Sequence, residues 1–383
     1  MKKLFYLTDA KNNLLIPAEL DKNNFDFLRF FLAVTVIYSH CFMIYYGVME
    51  KTEPAIIFTH NQADFGDMAV NFFFIISGFL VVKSFENSRT TVEYLLKRIL
   101  RIFPGFYVAF LVSVFVFGAI GAIHSTDIFG QLKFYFQNFN IRRLALQLFT
   151  LEAPRGPKTF STNPLPNFIN QSLWTIQCEF ACYLLVPFLG LIGVLKRKWL
   201  ALVFFLVSYI VLVLQTANVI PYGVDDERNW VFLYPSEVPR LFAFFFAGSC
   251  FYFFREYIKL NKLLILMSIT AIFFTSLWFQ DFYMVFPLAG TYLVFCFAYN
   301  PRIQLYNFAK NGDFSYGLYL YAYPIQQLIM YFFAKHIDEN HLFFIAFPII
   351  FLAAYLSWHV VESPFLKMKK LINKKVLINQ VVI

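Results

Sequence analysis

Ten runs of about twenty apolar residues follow one another along the chain, at 25–45, 67–85, 102–123, 172–194, 199–220, 237–255, 263–280, 282–299, 314–334 and 342–361. A run of that length crosses the hydrocarbon of a bilayer as an α-helix, with every backbone polar group satisfied inside the segment. No stretch between the runs is long enough to fold alone. The expectation is an all-α, polytopic membrane protein of about ten transmembrane helices. It forms a single domain over 1–383, with a basic tail at 362–383. Only 14% of the 383 residues are charged, against about 25% in an average soluble domain. The N-terminus is polar and its first apolar run is long enough to span, so a cleaved signal peptide is not expected.

An even number of spans puts both termini on one side. The basic residues say which: 22 of the 32 Lys and Arg fall in the connecting segments on the side of the termini and 9 on the other, with Arg29 inside the first span. By the positive-inside rule both termini are cytoplasmic. The net charge of +9 is thereby mostly topology, and no nucleic-acid partner is needed to explain it. Cys41, Cys178, Cys182, Cys250 and Cys296 all lie in apolar runs without a CxxC pair, so they read as small buried hydrophobes rather than disulfides or metal ligands.

The first span, DFLRFFLAVTVIYSH, carries Arg29 and His40. Eleven residues is close to three helical turns, which puts both on one face about 16 Å apart along the axis. A charged group inside a span is costly and faces a partner or a cavity. Glu179, in SLWTIQCEF of the fourth span, lies at a similar depth to His40. A carboxylate near an imidazole orients it and raises its basicity, which suits a general base for a hydroxyl. A structural ion pair or the proton relay of a transporter fits the same residues. Arg98 and Arg101, in KRILRIFPGFY, share a face at the inner end of the third span. They are either ordinary positive-inside anchors or, with Arg29, a cationic mouth suited to phosphates. Charged residues cluster on the first four spans, where a polar centre is expected, with the later spans as framework. Ser77-Gly78 in the second span reads as a close helix contact or a local kink. The loop at 124–171, with its PRGPKTFSTNPLPN stretch, reads as an outward lid or acceptor-binding loop, or as a connector.

Six segments in order carry a resemblance: DFLRFFLAVTVIYSH, FGDMAVNFFFIISGFLV, KRILRIFPGFY, SLWTIQCEF, FSYGLYLYAYPIQQ and WHVVESPF. Over about 21–366 the chain resembles the acyltransferase-3 family of multispanning O-acyltransferases that modify bacterial surface sugars. That resemblance implies a multi-pass protein of the bacterial inner membrane. It would move an acyl group, usually acetyl, from cytoplasmic acyl-CoA to a carbohydrate hydroxyl, on a surface glycan such as O-antigen or capsule or on its lipid-linked precursor. Acyl-CoA is a co-substrate, and no cofactor is held permanently. The family's motif positions fall on Arg29 and His40, on Arg98 and Arg101 with Lys97 where Arg is more usual, and on Glu179 preceded by Ser172 and Trp174. Asp26 opens the first motif. Ala322 stands where many members have His. The roles implied are His40 and Glu179 in catalysis, the three arginines on the CoA phosphates, and Asp26, Ser172 and Trp174 in support. The alternative is a proton-coupled transporter or exporter.

Overall fold

A computed structural model describes residues 14–17, 20–47, 52–191, 193, 197–223, 234–278, 282–334 and 336–368. Among them there is no β-strand, and each expected span is met by a helix. These are α1 (Phe25–Tyr46), α2 (Phe65–Glu86), α3 (Thr91–Val112), α6 (Trp174–Leu191), α7 (Lys198–Thr216), α8 (Val238–Phe253), α9 (Lys262–Leu277), α10 (Phe282–Ala298), α11 (Ser315–Phe333) and α12 (Glu339–Ser357). Two further helices, α4 (Ile128–Gln137) and α5 (Ile141–Thr150), lie in the long loop. Six of the helices are long and apolar enough to cross a membrane by themselves, and α8, α9 and α10 are shorter apolar helices beside them. The chain is an all-α polytopic membrane protein. Inner and outer below follow the charge distribution.

Two boundaries differ from expectation. The third helix starts at Thr91, where the hydroxyl of Thr90 accepts from the Glu93 amide at 3.1 Å. This N-cap satisfies an orphan donor of the first turn. Arg98 and Arg101 therefore sit two and three turns inside α3 rather than ahead of a span. After Val112 the helix continues through a π turn at Ser113–Gly118 to Gly121. The last helix likewise passes through a π turn at Trp358–Glu362 and on to Met368, so the expected tail begins as helix. The rest of that tail, 369–383, lies outside the described residues.

The first helix is central, packed against α2, α11 and α12. Its N-cap residue Asn24 is buried and its side chain ties that end to the last turn of α10 and the segment after it, donating to the carbonyls of Phe297 and Ile303 at 3.1 and 2.9 Å. The most extensive helix packing is that of α2 against α8. There the expected Ser77-Gly78 contact is realised: a Cβ on Gly78 would stand 1.9 Å from the Phe245 carbonyl oxygen, and one on Gly248 would stand 2.0 Å from that of Ile75. Ser249 donates to the Gly78 carbonyl across the gap at 3.3 Å. Reciprocal glycines let two backbones touch where side chains would hold them apart. Among the described residues no two cysteines form a disulfide, and Cys41, Cys178 and Cys182 are buried.

The long loop is more ordered than its proline-rich sequence suggests. Beyond α4 and α5, its Arg155 and Phe168 pair as an isolated bridge, and Thr159, Phe160 and Asn163 are buried. Asn163 donates to the Gln327 backbone and side-chain oxygens at 2.8 and 2.7 Å, which pins the loop onto the outer half of α11.

Candidate active site

A cavity of about 390 Å³ runs between α1, α2, α3, α6 and α11. On α2 its wall extends from Val70 to Val81, 11 residues or about 16 Å of helix. At the inner end stand Arg29, Arg98, Arg101 and Asp313, and at the outer end Val70, Thr175 and Tyr319. Apolar α2 side chains, among them Phe73, Phe74 and Leu80, make the middle. The space is thus cationic at one end and mostly apolar along its length.

The three arginines converge from α1 and α3 as their spacing suggests. Arg29 and Arg101 share one oxygen of Asp313, at 3.2 and 2.7 Å. Asp26 also pairs with Arg29, one turn away on α1, so its supporting place is next to the arginine. Burial alone would push the Asp313 carboxyl up, but Arg29 and Arg101 beside it overrule this and hold it below its ordinary value. Arg98 differs from its neighbours. Its guanidinium lies 5.3 Å over the Tyr183 ring and 5.8 Å over that of Tyr94, and it donates to the Ser84 hydroxyl at 3.0 Å. Among the described residues it makes no ion pair. The Nε groups of Arg29 and Arg98 are buried without a hydrogen-bond partner. Planar guanidinium forks with spare donors suit phosphate oxygens. Lys97 is neutralised by Glu93 at 2.6 Å.

Glu179 lines the same cavity and accepts from the Tyr183 hydroxyl. The sequence suggests a His40–Glu179 pair, and the structure does not form one. His40 is absent from the cavity wall and makes no hydrogen bond among the described residues. Its Nδ1 is buried and unpartnered, and its ring meets the Tyr323 ring edge-on at 5.5 Å. The connection between His40 and the cavity runs through α11. Tyr316, Tyr319 and Tyr323, spaced by three and four, share one face of that helix. Tyr316 lies under Arg101 with ring and guanidinium 5.8 Å apart, Tyr319 closes the outer end of the cavity, and Tyr323 touches His40.

Ser172 and Trp174 hold the outer start of α6. The Ser172 hydroxyl donates to Asn170 at 2.8 Å and to the Tyr319 carbonyl at 3.2 Å. Asn170, fully buried, donates to the Leu320 carbonyl at 2.9 Å. The Trp174 ring stands 5.2 Å from that of Tyr234. Ala322 is buried.

The polar centre was expected from the first four spans alone. Instead α11 supplies a whole wall, through Ser315, Tyr316 and Tyr319, with Asp313 just ahead of it. Charge inside the spans does not reveal tyrosines or a carboxylate in a connecting segment.

The family model described as an acyltransferase domain, that of the acyltransferase-3 family, matches residues 22–359. The chain belongs to this family. It is an acyltransferase. Among its relatives, an O-acetyl transferase of Shigella phage Sf6 is 28% identical over 359 residues, covering 90% of this chain and 96% of the relative. Nodulation protein 10 of Rhizobium leguminosarum bv. viciae is 27% identical over 370 residues, covering 91% and 94%. No solved structure matches the chain significantly.

Proposed function

We propose that this acyltransferase moves an acetyl group from cytoplasmic acetyl-CoA to a hydroxyl of a surface polysaccharide, such as O-antigen or capsule, or of its lipid-linked precursor. It would do so from the bacterial inner membrane. The observation that carries the proposal is the cavity itself, with three arginines at its cytoplasmic end and an apolar bore leading outward. Arg29, Arg98 and Arg101 hold the phosphates of CoA. The bore accepts the pantetheine arm, and its outer end lies one helical turn along α11 from the Tyr323–His40 contact. A rotamer change at Tyr319 or Tyr323 opens the remaining step. Its similarity to the O-acetyl transferase of Shigella phage Sf6 supports acetyl as the group and oxygen as its destination.

In the reaction His40 takes the proton of the acceptor hydroxyl, and the oxygen attacks the thioester carbonyl. The C–S bond breaks, and the imidazolium returns the proton to the departing thiolate. A positioned general base is worth about 10²–10⁴ in rate. The unpartnered Nδ1 leaves the ring free to take a proton or to bind the incoming hydroxyl. Glu179, hydrogen-bonded to Tyr183 in the bore, acts from the donor side and bears on the position of the thioester. On this reading the acceptor reaches His40 from outside and CoA reaches the arginines from inside, so donor and acceptor need never share a compartment.

Thermal protection tests the donor half. Acetyl-CoA at about 100 times its Kd stabilises the folded protein by about 2.7 kcal/mol, so detergent-solubilised protein is expected to melt at a higher temperature with the ligand than without. Protection absent at saturating ligand contradicts the proposal and favours a transporter.

A further inference from the structure

We propose that α4 and α5 form an interfacial anchor. Their exposed aromatic and aliphatic side chains are inserted among the phospholipids of the outer leaflet, with Lys133, Arg142 and Arg143 at the level of the headgroup phosphates. The helices stand in the loop that would face water if it were only a connector, yet Phe129 is 88%, Ile141 79% and Phe149 76% exposed. On α4, Phe129 and Phe136 share one face at i and i+7, with Lys133 between them at i+4. On α5, Ile141, Ala145, Leu148 and Phe149 do the same. This pairing of an apolar face with basic residues is the pattern of helices that lie in a membrane interface.

The depth of α4 in the fold is fixed by contacts with the third span. Tyr135, fully buried on an adjoining face of α4, donates to the Val114 carbonyl at 2.8 Å. The Phe136 ring stacks on that of Phe115 at 6.2 Å. Val114 and Phe115 lie in the π turn of the third span, one to two turns before it ends at Gly121. Phe115 is itself exposed on the lipid-facing side of that span. The apolar face of α4 thus continues a surface that already meets lipid, at a level within the span. The loop's charge fits the same partner: it holds five Lys and Arg against Asp127 and Glu152, an excess that the positive-inside rule disfavours on the outer side. Phosphodiester headgroups complement it. Through Asn163 and Gln327 the anchored loop is joined to the outer half of α11, so the lipid contact also steadies the roof beside Tyr323.

Nitroxide accessibility in liposomes of phosphatidylethanolamine and phosphatidylglycerol tests this with the full-length protein. Labels go on Phe129→Cys, Ile141→Cys and Phe149→Cys. Val207→Cys on the lipid face of α7 and Thr162→Cys in the loop are the references, and labelled wild type sets the background from native cysteines. Relaxation at the three anchor positions is expected to be enhanced by oxygen far more than by a water-soluble nickel chelate, as at Val207→Cys. Nickel-dominated relaxation there, as at Thr162→Cys, overturns the proposal. The readout needs no acyl transfer, so it stands apart from the proposed reaction.

Discussion

Replacing Arg98 by Ala separates ligand binding from folding, because the side chain is held by neutral partners. Its structural contacts are the Tyr183 and Tyr94 rings and the Ser84 hydroxyl. A half-buried cation–π contact contributes about 0.5–1 kcal/mol and a hydrogen bond from a charged donor about 1.5–3 kcal/mol. The folded protein is therefore expected to lose toward the lower end of about 2.5–5 kcal/mol, because no buried charge is left unpaired and the half-buried Ser84 hydroxyl can take up water. A guanidinium removed from a bound phosphate costs about 2 kcal/mol or more of affinity, which is roughly 30-fold in Kd. Arg101→Ala should behave differently. It removes the nearer of the two arginines on the buried Asp313 and leaves Arg29 alone at 3.2 Å, a loss of up to about 3–5 kcal/mol of stability. Isothermal titration of CoA into the purified variants, beside their melting curves, resolves the two. Expected is a folded Arg98→Ala protein with much weakened binding, and an Arg101→Ala protein that melts early. If Arg98→Ala binds CoA within about threefold of wild type, less than 1 kcal/mol, the arginine end of the cavity is not the phosphate site.

Two further outcomes concern folding. Burial, together with the charge of Asp67, pushes the Asp64 carboxyl at the outer end of α2 up to about 8. A raised carboxyl contributes stability that is present below its unfolded value near 4 and is lost as pH rises through 8. Asp64→Asn keeps the acceptor for the Asp67 amide and should flatten the fall in melting temperature between about pH 4 and 8; an unchanged slope refutes the assignment. Gly78→Val places side-chain atoms in the Phe245 backbone, so it should abolish folded protein in a detergent solubility assay, whereas Ser77→Ala should be tolerated.

The span pattern was legible because bilayer crossing imposes length and polarity locally. Arg29, Arg98 and Arg101 were legible for a related reason: charge in or beside a span demands an explanation. Gly78 was readable as a packing residue from its apolar surroundings. Asp313 was not. It lies outside any span, and only the packing of α1, α3 and α11 brings it to the two arginines. The tyrosines of α11 were hidden because 21% of the chain is aromatic, so one more Tyr stripe carries no contrast. In the long loop the prolines after Leu151 drew attention away from α5, although its apolar period of three and four was present in the sequence. The His40–Glu179 pairing failed for another reason. Equal depth on two helices says nothing about which way each face turns, and α6 turns Glu179 toward α3.

The most direct test of the central proposal is the O-acyl content of the surface glycan, by mass spectrometry and NMR. It compares a deletion strain with strains complemented by wild type or by His40→Ala at matched protein levels. Expected is loss of an O-acetyl group on deletion, its return with wild type, and at least about a 100-fold lower rate of addition with His40→Ala. Full acylation by His40→Ala contradicts His40 as the base, and a glycan unchanged by deletion contradicts the proposed acceptor.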